Sequence, residues 1–103
     1  MIFKKYFKDP NSIVDYVFDF AGLLNSTGHE DYLEYGETIT SATAISSSVD
    51  LNIDSVIKIR NDTAVQVWVS GGVLGASYTL TARITTSSNR TDDRSITIII
   101  DNL

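Results

Sequence analysis

The sequence predicts an all-β domain of two packed sheets, and three observations carry the prediction. First, long stretches alternate. Val65, Val67 and Val69 share one face of the run 64–69, and Tyr78, Leu80, Ala82 and Ile84 share one face of the run 78–86. A period of two is the repeat of a strand buried on one side. Second, about seven such runs follow one another at roughly 8–12-residue spacing, with no helix-length amphipathic segment between them to form parallel crossovers. Third, Ser, Thr, Ile and Val are abundant, which suits a pleated, half-buried surface. Together these describe a single immunoglobulin-like β-sandwich over residues 13–103, without a disulfide and with an extended N-terminal arm over residues 1–12.

The elements follow in order. Residues 1–8 mix Ile2, Phe3, Tyr6 and Phe7 with Lys4, Lys5 and Lys8. Two readings fit them: a strand or turn tucked against the body, or an arm that orders on a partner. Asp9, Pro10, Asn11 and Ser12 make a turn, because Pro fixes φ while Asp and Asn bond to nearby backbone. Residues 13–20 alternate strictly, with Val14, Tyr16, Phe18 and Phe20 on the buried face. Ile13, Asp15, Val17 and Asp19 fall on the wet one. Residues 21–36 are the least strand-like part, with a single helical turn expected near 29–35 that sets Tyr32 and Tyr35 on one side. A loop of that length in a compact domain commonly faces a partner.

Residues 37–45 read as a strand and Ser46, Ser47 and Ser48 as a connector. Val49, Leu51 and Ile53 alternate with Asp50, Asn52 and Asp54; Ser55 reads as a turn before a separate short strand at 56–59. Residues 60–63 form a tight turn into the valine run. There the register admits two outcomes for Trp68: exposed or lining an interface if the valines are core, buried if the register is inverted. The connection 70–77 carries Gly71, Gly72 and Gly75, and Tyr78 after it is placed as a tyrosine corner whose hydroxyl bonds back to the chain. Residues 87–90 make a hairpin in which Asn89 takes φ > 0. Residues 94–101 close the sheet with Ile96, Ile98 and Ile100 inward and Ile99 on the other face.

Composition narrows the function classes. At 103 residues and 43% hydrophobic content the chain is one folded domain rather than a disordered one. It has no Cys, so disulfides and thiolate metal sites are excluded, which fits a reducing compartment. No stretch approaches the ~18 apolar residues of a membrane span. Lys4 and Lys5 interrupt the apolar N-terminus, which is too short for a secretory segment. No membrane association is expected. The net charge is −5, and residues 9–57 contain no Lys or Arg against the acids Asp9, Asp15, Asp19, Glu30, Asp31, Glu34, Glu37, Asp50 and Asp54. A chain with that half lacks the basic face that phosphate contacts demand, so nucleic acid is not an expected partner.

Candidate chemistry is sparse. Asp50, Asn52 and Asp54 begin like a calcium loop, but Ser55 stands where the turn needs Gly and Asn61 where a bidentate Glu is needed. His29, the one histidine, sits near Glu30, Asp31 and Glu34 at no metal-ligand spacing. Asp15 with Asp19, and Asp92 with Asp93, read as surface charge rather than a catalytic acid–base pair. Ser70, Gly71 and Gly72 lack the context of a nucleophile elbow, and no helix or Lys follows the glycines to hold phosphate. No catalysis, cofactor or metal is expected.

Several segments resemble a family of small tailed-phage virion proteins. The matching strings are KDP at 8–10, VDY-x-FDF at 14–20, GETI at 36–39, VWVSGG-x-x-G-x-SYTLT-x-RITT at 67–86 and RTDDRS at 90–95. The likeness covers most of residues 8–98; the ordered series from 67 to 95 is its specific part. It departs at Asn89, where similar sequences carry Gly, and at the end, where many carry a basic tail. The resemblance implies an immunoglobulin-like structural component of the virion, made in the host bacterial cytoplasm, of head-decoration, head-fibre or neck type, with no catalytic residues. It implies docking on other virion proteins, either the major capsid protein or portal, connector and neck proteins, and a homo-oligomer on the particle. The expected contacts are Phe3, Tyr6, Phe7, Tyr32, Tyr35 and Trp68. The alternative is a carbohydrate- or host-surface-binding adhesion module on the virion. An accessory domain of an enzyme is a third reading that needs a multidomain parent.

Overall fold

Val65, Val67 and Val69 are wholly buried, and the two sheets close around them. The computed structural model describes residues 4–20 and 36–102, and these form strands without a helix. The strands are β1 (Lys4–Lys8), β2 (Ile13–Asp19), β3 (Ile39–Ser46), β4 (Leu51–Ile59), β5 (Ala64–Gly71), β6 (Ser77–Thr86) and β7 (Thr91–Ile100). One sheet has the order β1-β7-β6-β3 and the other β2-β5-β4. Neighbours are antiparallel except β1, which runs parallel to β7 with Tyr6 opposite Ile98 and Lys8 opposite Ile100. This is the all-β, immunoglobulin-like sandwich that the alternation predicts.

The seven strands are not quite the expected seven. Lys4–Lys8 forms a strand along β7, the first of the two readings of that segment. Ser55 is not a turn: β4 continues through it, with a register shift between Ile53 and Ser55 that makes Asp54 a bulge. A bulge adds one residue and changes the parity of everything after it. Val56 therefore faces Val67 in the core, and Ile57 faces outward beside Gln66. Strand β7 begins at Thr91 rather than 94, because Asp93 pairs across to Arg83 on β6 through two hydrogen bonds of 2.7 and 2.8 Å.

The core joins Phe18, Phe20, Ile39, Leu51, Leu80, Ile84, Ile98 and Ile100 to the three valines. Each such side chain contributes about 1.5–3 kcal/mol on burial. With no cysteine in the chain, that apolar burial is the dominant cohesive force.

Polar pins close both ends. At one end Gly72 has φ +100°, and a Cβ there would lie 2.6 Å from Ile100 Cδ1. Tyr78 is the expected tyrosine corner: its hydroxyl accepts a 2.9 Å hydrogen bond from the Val73 amide. Lys8 is fully buried at the same end. Its ammonium donates to the carbonyls of Gly71 at 2.7 Å and Asp9 at 2.9 Å, tying β1 to the opposite sheet. Burial lowers the Lys8 pKa, and the charges of Asp9 and Asp54 partly oppose that shift. At the other end Asn89 takes φ 59° as expected. The buried Glu37 carboxylate is gripped by the Arg90 guanidinium and by Thr86 Oγ1. Arg94 donates to the Asp19 carbonyl at 3.0 Å and lies 4.7 Å over the Phe20 ring.

These contacts set three expectations. Gly72→Ala combines a strained φ with a clash against a core side chain, and chemical denaturation will show a loss of about 2–4 kcal/mol at unchanged m-value. Glu37→Gln weakens the hold on a half-buried cation and will cost about 1–3 kcal/mol in the same assay. The hydrogen bonds from Arg83 hold the Asp93 carboxyl below its ordinary 3.8. Its stabilising contribution is therefore complete above that value and is lost as pH falls through the lower folded-state value. In an acid titration of the melting temperature, Asp93→Asn will flatten the slope below about pH 4.

Candidate functional site

Strand β5 is the middle strand of the three-stranded sheet, so its outward side chains form the centre of that sheet's outer face. The alternation that buries the valines sends Gln66, Trp68 and Ser70 outward. This decides the register left open by the sequence: Trp68 opposes the core and is half-buried on the outer face. Across the sheet Trp68 lies between Asp15 on β2 and Ser55 on β4. One row along, Gln66 lies between Val17 and Ile57; in the other direction Ser70 lies between Ile13 and Asn52. The indole is thus flanked on the diagonals by Ile13, 66% exposed, Val17, 41%, and Ile57, 45%. Diagonal neighbours on a sheet face are within reach of an aromatic ring.

The polar groups on this face are held by one another. Asp15 accepts a 2.8 Å hydrogen bond from Gln66 Nε2, and Asp54 one of 3.1 Å from Ser70 Oγ. Asp19 meets Arg60 at 3.4 Å. A central indole with exposed aliphatic side chains on three diagonals, interleaved with polar groups, has the composition of a docking patch. Among the described residues this face shows no paired acid and base and no activated nucleophile. An open groove of about 340 Å³ between β3 and β4 is lined by residues such as Ala44, Ile45, Leu51 and Ile53, with no titratable side chain in its lining. Among the described residues no group of three or more His, Asp or Glu side chains is placed to hold a metal ion. Leu51 is buried and Ile53 packs on the core, so the stretch 51–54 is strand and bulge.

Of the expected contact residues, the three that are described, Tyr6, Phe7 and Trp68, do not form one patch. Tyr6 points inward at the edge of its sheet, with its ring 5.1 Å from that of Tyr16 on β2. Burial pushes the Tyr16 hydroxyl pKa up, and the nearby Tyr6 and Asp15 add to this. Phe7 is 57% exposed and stands beside Ile99 on the outer face of the other sheet. Trp68 and Phe7 therefore lie on opposite faces of the sandwich, and Tyr6 lies in the seam between β1 and β2. Phe3, Tyr32, Tyr35 and the loop 21–35 that carries His29 lie outside the described residues.

Sequence reasoning missed Ile13, Val17 and Ile57 as companions of Trp68. Alternation already put Ile13 and Val17 on the solvent side of β2, which was the available signal. Ile57 gave none, because only the bulge at Asp54 turns it outward.

A comparison with known families bears on this arrangement. No curated protein matches the chain. One family model matches over residues 8–99, nearly the whole sandwich. The chain belongs to that family, Gp77, described as the podophage GP4 fiber-tail adaptor protein gp77, and is thus a structural protein of the tailed-phage virion.

Proposed function

We propose that the chain is a non-enzymatic adaptor that joins parts of the virion by docking through the outer face of its three-stranded sheet. The observation that carries this reading is Trp68 at the centre of a face where Ile13, Val17 and Ile57 are all exposed. Tryptophan with exposed aliphatic side chains on three of its diagonals is the composition of an energetic centre in an interface. An adaptor needs two surfaces, and Phe7 with Ile99 supplies a second on the opposite sheet. Phe3, Tyr6, Tyr32 and Tyr35 complete the proposed contact set.

The family description supports a fibre on one side and the tail on the other. Connector, portal or neck proteins suit the tail side, and the major capsid protein is the other candidate. Several copies on a symmetric particle, as a homo-oligomer, turn weak individual contacts into firm attachment. An adhesion module would instead use the indole as an open stacking platform for a sugar; the exposed aliphatic side chains of Ile13, Val17 and Ile57 on three of its diagonals favour burial against a protein.

The test is the variant Trp68→Ala. Its side chain lies outside the core, so the melting temperature will stay within a few degrees of the parent. Incorporation into particles, measured by the ratio of this chain to capsid protein after purification, will fall about tenfold or more. Normal incorporation of the folded variant contradicts the proposal, and loss of glycan binding without loss of incorporation favours adhesion.

A further inference from the structure

Among the described residues the sandwich has four edge strands, β1 and β3 in one sheet and β2 and β4 in the other. An edge strand offers unpaired backbone groups to any passing chain, and proteins blunt such edges with lysines, bulges or short strands. Three of the four are blunted here. Strand β1 is five residues long and carries Lys4, Lys5 and Lys8. Strand β3 has a register shift between Ile39 and Ser41, and β4 has its bulge at Asp54 and a lysine at Lys58. Strand β2 has none of these devices: seven residues in unbroken register, without Lys, Pro or bulge. Its two acids are turned to neighbours within the sheet, Asp15 to Gln66 and Asp19 to Arg60.

The backbone polarity of β2 follows from one hydrogen bond. The Phe20 amide donates to the Thr63 carbonyl, continuing the antiparallel ladder with β5. Amides alternate sides along a strand, so Val14, Tyr16 and Phe18 also point to β5. The N–H and C=O groups of Ile13, Asp15 and Val17 then point away from it. Among the described residues no strand lies on that side. Apolar surface flanks the same edge on both faces: Ile13 and Val17 outside, the Tyr6–Tyr16 ring pair inside.

We infer that β2 takes an added strand: an extended segment of another virion chain that pairs with the outward backbone groups of Ile13, Asp15 and Val17. Main-chain pairing supplies affinity in this mode, and alternate side chains supply specificity. The outward side chains of the incoming segment are apolar, to lie beside Ile13 and Val17. Its inward ones rest on Tyr6 and Tyr16. Lys or Arg at its ends answers the acidic half of the chain, residues 9–57, which has no Lys or Arg of its own. The inference rests on the adaptor reading and adds the mode of attachment.

Two measurements test it. In the isolated protein, amide exchange followed by NMR will be fast for Ile13, Asp15 and Val17 and slow for Val14, Tyr16 and Phe18. Slow exchange of the first three in the monomer means that this chain's own residues cover the edge, and overturns the inference. Slow exchange only at concentrations where the protein dimerises means that a second copy does, and overturns it too. The second measurement is co-sedimentation with phage particles purified without this chain. Val17→Pro removes an outward amide and takes no bond from the sheet, a substitution edge strands tolerate. It will weaken binding about tenfold more than Val17→Thr, which changes the same docking-face side chain but keeps the amide. Equal binding of both variants, or equal loss in both, overturns strand addition. If Val17→Pro does not fold, Asp15→Lys, which places a lysine on the edge, takes its place with the same expected loss. Failure of the parent protein to bind the particles overturns the adaptor reading itself, and strand addition with it.

Discussion

The alternation of β5 is the constraint on which the rest depends. Val65, Val67 and Val69 face the opposite sheet and are wholly buried in the core. Because the strand repeat is two, the same choice fixes Gln66, Trp68 and Ser70 outward. A slip of one residue would put an indole and an amide into a close-packed interior and three valines into water. The core face and the outer face of β5 are therefore fixed together. The strand also sits between β2 and β4, so the face it presents is bounded on both sides by their outward residues.

The strings that carry the family likeness serve mainly to hold the ends of the sandwich. Gly72 makes room for Ile100, and Tyr78 caps the connection that Gly71 and Gly72 begin. Lys8 binds the Gly71 carbonyl from the other sheet. Glu37 of the GETI string meets Arg90 of the RTDDRS string, and Arg94 of that string reaches Asp19 and Phe20 at the end of β2. Motifs far apart in sequence are thus single contacts in space. Trp68 lies inside such a string, but Ile13, Val17 and Ile57 do not. Val17 stands at the unspecified position of VDY-x-FDF, so the likeness describes the scaffold in more detail than the face it presents.

Much of this was legible in the sequence. The inward residues of β2, β5, β6 and β7, the tyrosine corner and the left-handed Asn89 all follow from period and turn chemistry, and the structure has them where the sequence puts them. What escaped was non-local. Alternation cannot see a bulge, so by sequence β4 divides at Ser55 and Ile57 has no assigned face. Composition cannot see a parallel partner, so the amphipathic Lys4–Lys8 segment admits two readings by sequence, and its pairing with β7 makes it a strand. A buried lysine satisfied by two carbonyls, and a glutamate satisfied by an arginine 53 residues away, have no local signature at all.

The central claim is that this sandwich joins virion parts through the Trp68 face. A cryo-EM reconstruction of the assembled particle tests it most directly. The account predicts that the chain is present at a junction between other virion proteins, with Trp68, Ile13 and Val17 covered by one of them. A reconstruction in which that face looks into solvent, or purified particles from which the chain is absent, would contradict it.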